Sequence, residues 1–137
     1  MADQLEIIKS PPSAADYLKI RKAVGMSKRN KKGAATAMQN SWFGVQIITG
    51  KEVVAMGRIV GDGGCSFLIT DIAVLPEYQG QGLGTKVMEV LMDYYHEHAP
   101  QEAYLVLLAD GKAQFLYQKF GFQLSEPDSV GMIYKKI

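Results

Sequence analysis

Apolar residues recur along this chain with two periods, and proline or glycine marks nearly every change between them. Leu5 to Lys9 is apolar-rich and strand-like, and Ser10, Pro11 and Pro12 end it. Ser13 then caps a helix with Asp16 in its first turn and apolar positions at Tyr17, Ile20 and Val24, ending near Gly25. Ala34 to Asn40 predicts a second short helix, and Trp42 to Thr49 alternates as a strand. Gly50 and Lys51 turn the chain into a hairpin partner, Glu52 to Val60, and Gly61, Asp62, Gly63 and Gly64 make the next turn. Cys65 to Leu75 is a long apolar run rich in branched residues, the pattern of a central strand covered on both faces.

The second half continues in the same way. Pro76, Glu77 and Tyr78 leave the central strand, and Gly80, Gln81, Gly82, Leu83 and Gly84 lead into a helix whose apolar face is Leu83, Val87, Val90, Leu91 and Tyr94. That helix stops before Pro100. Ala103 to Ala109 predicts a buried strand, Lys112 to Phe120 a helix ended by Gly121, and Val130 to Lys136 a last strand, with Phe122 to Ser125 as one more candidate. The order βααβββαβαβ implies an α/β (α+β) fold with a mixed sheet of six to seven strands and about four helices. Its strand–helix–strand unit should be parallel with a right-handed crossover.

A chain of 137 residues suits one domain, 1–137, with a single sizeable core. Fifteen basic against fourteen acidic side chains give a net charge of +1, which provides no global field for nucleic acid or an anionic membrane. The local run Lys28, Arg29, Lys31, Lys32 reads as a solvated loop. One cysteine, Cys65, leaves no internal disulfide and no cysteine-based zinc cluster, and with no histidine near it in sequence it reads as a buried strand-start residue rather than a nucleophile. Met1 to Lys9 lacks the apolar core of a signal peptide and no stretch approaches a membrane span, so the expected location is cytoplasmic.

The chemistry concentrates between Ile69 and Lys86, where a buried strand meets a glycine-rich turn and then a helix. Such a junction aims unpaired N–H groups at one point on the positive end of the helix dipole, suited to a phosphate or diphosphate. The order Gly84, Thr85, Lys86 does not fit a P-loop, and glycines spaced by twos after several antiparallel strands do not fit a dinucleotide fingerprint. Gln79, Gly80, Gln81, Gly82, Leu83, Gly84 instead resembles the Q/R-x-x-G-x-G/A motif of the GNAT N-acetyltransferases. Asp71 to Tyr78 is similar to the strand and proline turn before that motif, and Ala113 to Phe122 resembles the family's second signature, a helix bearing Leu-Tyr and ending in Gly-Phe.

The resemblance implies two parallel central strands that splay apart, Cys65 to Leu75 and Ala103 to Ala109, with acetyl-CoA as cosubstrate in the gap and no metal. The backbone of Ile72, Ala73 and Val74 would pair with the pantetheine arm. The N–H groups of Gln79, Gly80, Gln81, Gly82, Leu83, Gly84 and Thr85 would hold the pyrophosphate. Tyr117 matches the tyrosine placed near the CoA sulfur and is the expected general acid, in contact with the cofactor. Asp71 would orient the acceptor amine or pass its proton through water, with Asp110 a weaker candidate; His96 and His98 read as surface residues. Thr70 to Val74 is also similar to the matching strand of glucosamine-phosphate N-acetyltransferases, but no arginine cluster for a sugar phosphate stands out. The implied activity is acetylation of a primary amine on a small molecule. Acetylation of a protein lysine or N-terminus and a non-catalytic CoA sensor are the alternatives. Ser27 to Gly33 and Asp128 to Met132 are expected to shape the acceptor pocket, and a homodimer is the expected assembly.

Overall fold

The punctuation read from the sequence ends elements in the computed structural model, which describes residues 4–136. Met1 to Asp3, part of the N-terminal reading, and Ile137 lie outside the described residues. The chain divides into two compact units, Met1–Leu107 and Leu108–Ile137.

The first unit is built on a five-stranded sheet in the order β1-β2-β3-β4-β5. Its strands are β1 (Leu5–Ile8), β2 (Phe43–Thr49), β3 (Glu52–Gly61), β4 (Ser66–Val74) and β5 (Tyr104–Val106). Neighbours run antiparallel except β4 and β5, which are parallel and joined through helix α3 (Leu83–His98). Helix α1 (Ala14–Ala23) is capped by Ser13, whose Oγ accepts the Asp16 N–H at 3.1 Å. Helix α2 (Lys31–Gln39) begins earlier than its apolar residues suggest, because the Asn30 side chain accepts the Gly33 N–H at 2.9 Å. The basic run is therefore not wholly a loop: Lys31 and Lys32 form the first turn of α2.

The middle strand is β3, buried on both faces, whereas β4 alternates between buried and half-buried positions. Helix α3 buries Leu83, Val87, Met88, Leu91 and Met92. Val90 and Tyr94, expected on that face, are only half-buried because the stripe turns toward the two methionines. Gly57 permits the approach of α3, since a Cβ there would lie 2.6 Å from both Ile72 Cδ1 and Val87 Cγ1. Each such fully buried aliphatic side chain contributes about 1.5–3 kcal/mol relative to exposure.

The second unit holds a 3-10 turn, Gly111–Ala113, and helix α4 (Gln114–Gln118). The expected strands at Phe122 to Ser125 and Val130 to Lys136 do not form, so among the described residues the sheet has five strands rather than six or seven. Alternating apolar residues specify a strand only where a ladder partner satisfies their backbone; Met132 and Tyr134 are about nine-tenths exposed. The expected strand Ala103 to Ala109 shortens to β5 and is not buried, with Tyr104 60% exposed.

Candidate functional site

Strand β4 contains one residue too many for regular pairing. Met56 pairs with Ala73 and Arg58 with Thr70, so Gly57 alone stands opposite both Asp71 and Ile72. Asp71 takes up the extra length in a left-handed conformation, φ 61°, which aspartate tolerates better than most residues. The insertion changes which residues share a face. Phe67 meets Tyr95 of α3 edge-on at 5.4 Å, and Ile72, five residues later, also packs toward α3 beside Val87, while Asp71 points to α1.

The backbone follows the same change. Just before β4, the Cys65 carbonyl accepts the Tyr104 N–H of β5, so odd-numbered residues face that edge. The Leu75 N–H instead donates to the Val54 carbonyl on β3, which turns the backbone of Val74 and Ile72 outward. Pairing with β5 covers only Ser66 to Leu68, so among the described residues no strand pairs with β4 on that side from Ile69 onward. At its far end the Gln79 Nε2 donates to the Val74 carbonyl at 3.0 Å.

Pro76–Tyr78 then forms a 3-10 turn, and Gly80 (φ 78°) and Gly82 (φ 83°) carry the chain into α3 through the left-handed region open to glycine. Gly82 is the N-cap and no side chain caps this helix. The N–H groups of its first turn, including Leu83, Gly84 and Thr85, thus point outward at the positive end of a 16-residue helix. Gln81 lies back on the Glu77 carbonyl at 3.4 Å, leaving the approach to these donors clear of its side chain. Chemically this is an extended free edge that runs into an anion-binding helix start.

Asp71 is buried and fully engaged. Its Oδ1 accepts from Arg21 Nη1, and its Oδ2 accepts from Arg58 Nε at 2.7 Å and from the Tyr17 hydroxyl at 3.1 Å. Both guanidinium groups lie over the Tyr17 ring, 5.6 and 5.7 Å from its centroid. Arg21 also donates to the Ser27 carbonyl at 2.8 Å, so one carboxylate fixes the β4 bulge, α1, β3 and the loop before α2 together. The sequence reading missed Tyr17, Arg21 and Arg58. The cost of an unpaired buried aspartate was the one available signal that such partners must exist.

In the second unit, Tyr117 on α4 is buried, and Gly121 (φ 93°) ends the helix so that Phe122 returns edge-on to the Tyr117 ring at 6.5 Å. Burial, and secondarily the negative charge of Asp110, raise the Tyr117 phenol above its ordinary value of 10.0. Asp110 precedes the 3-10 turn and is exposed, as are Asp128 to Met132. His96 and His98 are surface residues on the last turn of α3. Cys65 is exposed rather than buried. Among the described residues no helix is long and apolar enough to cross a membrane, and no group of three or more His, Cys, Asp or Glu could hold a metal ion.

Residues 40–124 match the family model of the acetyltransferase (GNAT) domain. The uncharacterized N-acetyltransferase ycf52 of Pyropia yezoensis is 30% identical over 117 residues, which cover 82% of this chain and 66% of that protein, just under two-thirds of its length. A protein of unknown function from methicillin-resistant Staphylococcus aureus, described as a probable acetyltransferase, superposes with a TM-score of 0.91 at 39% identity, covering 97% of this chain and all of the other. A predicted acetyltransferase from Clostridium acetobutylicum, solved with acetyl-CoA, superposes with a TM-score of 0.72 over 95% of this chain and 96% of its own. At 17% identity that likeness is one of fold alone.

Proposed function

Because the chain belongs to the GNAT superfamily of acetyltransferases, we propose that it transfers the acetyl group of acetyl-CoA to a primary amine of a small molecule by direct attack. The observation that carries this reading is the free edge of β4, which leads straight into the uncapped start of α3. An extended amide chain with a diphosphate at one end fits these features, its amides on the outward backbone of Ile72 to Val74 and its charge on the donors of Gln79 to Thr85. The Val74 carbonyl is already taken by Gln79, so the arm's pairing rests on the remaining outward groups.

Acetyl-CoA, when bound, supplies a thioester activated toward amines. The Tyr117 phenol, whose pKa burial raises, would donate its proton to the departing sulfur, the role of the family tyrosine that it matches. Asp71, with both oxygens bound by Arg21, Arg58 and Tyr17, acts as a positioning residue that sets the bulge, and the amine loses its proton to solvent. The rate then rises with pH toward the acceptor's own pKa. Thiol release from acetyl-CoA over a panel of primary amines tests the activity. Tyr117→Phe should lower kcat by about 100-fold or more with acetyl-CoA affinity retained. Unchanged turnover in that variant would remove Tyr117 from the role, and no thiol release with any amine would remove the enzyme reading.

A further inference from the structure

The near-zero net charge conceals a strong local asymmetry. Between Asp16 and Glu52 the chain carries eight basic side chains, more than half of its fifteen, and no acidic one. Lys28 and Arg29 lead into α2, Lys31 and Lys32 occupy its first turn, and that turn has no acid. Cations at a helix N-terminus oppose the dipole, so this arrangement works against the helix unless an anion joins it. Arg21 lies 5% exposed beneath the same loop, paired with Asp71 and donating to the Ser27 carbonyl, with its Nε left unpartnered.

All three arginines of the chain meet here. Arg21 and Arg58 share Asp71, while Arg21 Nη2 and Arg29 Nη1 both donate to Ser27 Oγ, at 3.2 and 2.6 Å. Asp71 thus binds two guanidinium groups directly, Ser27 Oγ links the third to Arg21, and the residue after Asp71, Ile72, begins the outward-facing backbone of β4. Building on the acetyltransferase reading, we propose that the acceptor amine bears an anionic group, a carboxylate or a phosphate. Arg29 and the cations at the start of α2 receive that group, and the buried Arg21–Asp71–Arg58 cluster holds the loop in place. The charge selects the acceptor and directs its amine toward the β4 edge.

Matched pairs of amines test this: ethanolamine against phosphoethanolamine, benzylamine against 4-(aminomethyl)benzoate, and glucosamine against glucosamine 6-phosphate. At least one anionic member should exceed its neutral partner in kcat/KM by about tenfold, and the ratio should shrink between roughly 50 and 500 mM salt. Arg29→Gln, at an exposed position where folding is not at stake, should cut that ratio by about fivefold or more. Lys9→Gln, at an exposed position outside the interval from Asp16 to Glu52, should leave it unchanged. Ratios near one in every pair, or a preference insensitive to salt and to Arg29→Gln, would overturn the proposal while thiol release with neutral amines kept the enzyme reading. Turnover of acidic peptides but of no anionic small amine, with acetyl-CoA binding intact, would overturn it as well. Loss of both acetyl-CoA binding and thiol release would remove the two readings together.

Discussion

Asp71→Asn removes one charge and almost no volume, so it isolates what the buried carboxylate contributes. The aspartate offers one oxygen to Arg21 and the other to Arg58 and Tyr17. An amide keeps one acceptor and turns an NH2 donor toward a guanidinium. Removing one partner of a buried ion pair costs about 3–5 kcal/mol. Arg58 recovers part of this, being the more exposed of the two and holding Ser41 Oγ at 3.3 Å; the lower half of the range is therefore expected. Asparagine accepts φ 61° about as well as aspartate, whereas Asp71→Ala adds about 1–2 kcal/mol of left-handed backbone strain. Urea unfolding followed by circular dichroism reads the difference. With a slope of about 2 kcal/mol per molar, the Asn variant should unfold roughly 1.5–2 M earlier than wild type, and the Ala variant earlier still. Adding Arg21→Met to Asp71→Asn should restore part of the loss, since an apolar side chain carries no buried charge. A loss below about 1 kcal/mol for Asp71→Asn, at unchanged slope, would mean that the cluster behaves like an exposed pair and that its anchoring role is wrong.

Three further outcomes follow from the same geometry. In Gly82→Ala the new methyl meets nothing within 4 Å, so stability should fall only by the φ 83° strain, about 1 kcal/mol, while calorimetry records weaker CoA binding because the helix start is misaimed. Gly57→Ala forces a Cβ to 2.6 Å from Ile72 and Val87, and thermal unfolding should show about 1–3 kcal/mol of overpacking. Asp62 Oδ1 accepts the N–H groups of Gly64, Cys65 and Ser66 at 2.8, 2.7 and 3.1 Å, which hold its pKa below the ordinary 3.8. Its stabilising effect is thus present above that ordinary value and lost as pH falls through the lower folded one; an NMR titration of the carboxyl that gave an unshifted pKa would refute the turn geometry.

Which of these features the sequence discloses depends on how far their causes reach along the chain. Ser13, Pro76 and the glycines from Gly80 to Gly84 act on neighbouring backbone, and the elements they bound lie within a few residues of their expected ends. The pattern at Val130 to Lys136 is equally regular, but a strand needs a partner, and no local rule supplies one. Asp71 is legible as an acid inside an apolar run, yet its partners lie 54, 50 and 13 residues away, and Tyr17 at helical spacing looks like ordinary core. The cation-rich interval after Asp16 was visible in principle, but summing charge over the whole chain cancels it.

The bulge, the ion cluster and the free edge are one device rather than three. Without the extra residue, β4 would alternate regularly from Phe67, set Asp71 on the α3 face and keep odd-numbered backbone toward β5. The insertion bends the strand and reverses both alternations at once, which carries the edge away from β5 three residues after their pairing ends at Leu68. What holds the left-handed residue in place is its carboxylate, gripped by arginines from α1 and β3. The free edge therefore depends on a side chain that points away from it. It follows that the Asp71→Asn protein, measured below its unfolding transition, should bind acetyl-CoA more weakly than wild type although this side chain is assigned no contact with the cosubstrate. Equal affinity would show that the β4 backbone keeps its course without the ion cluster.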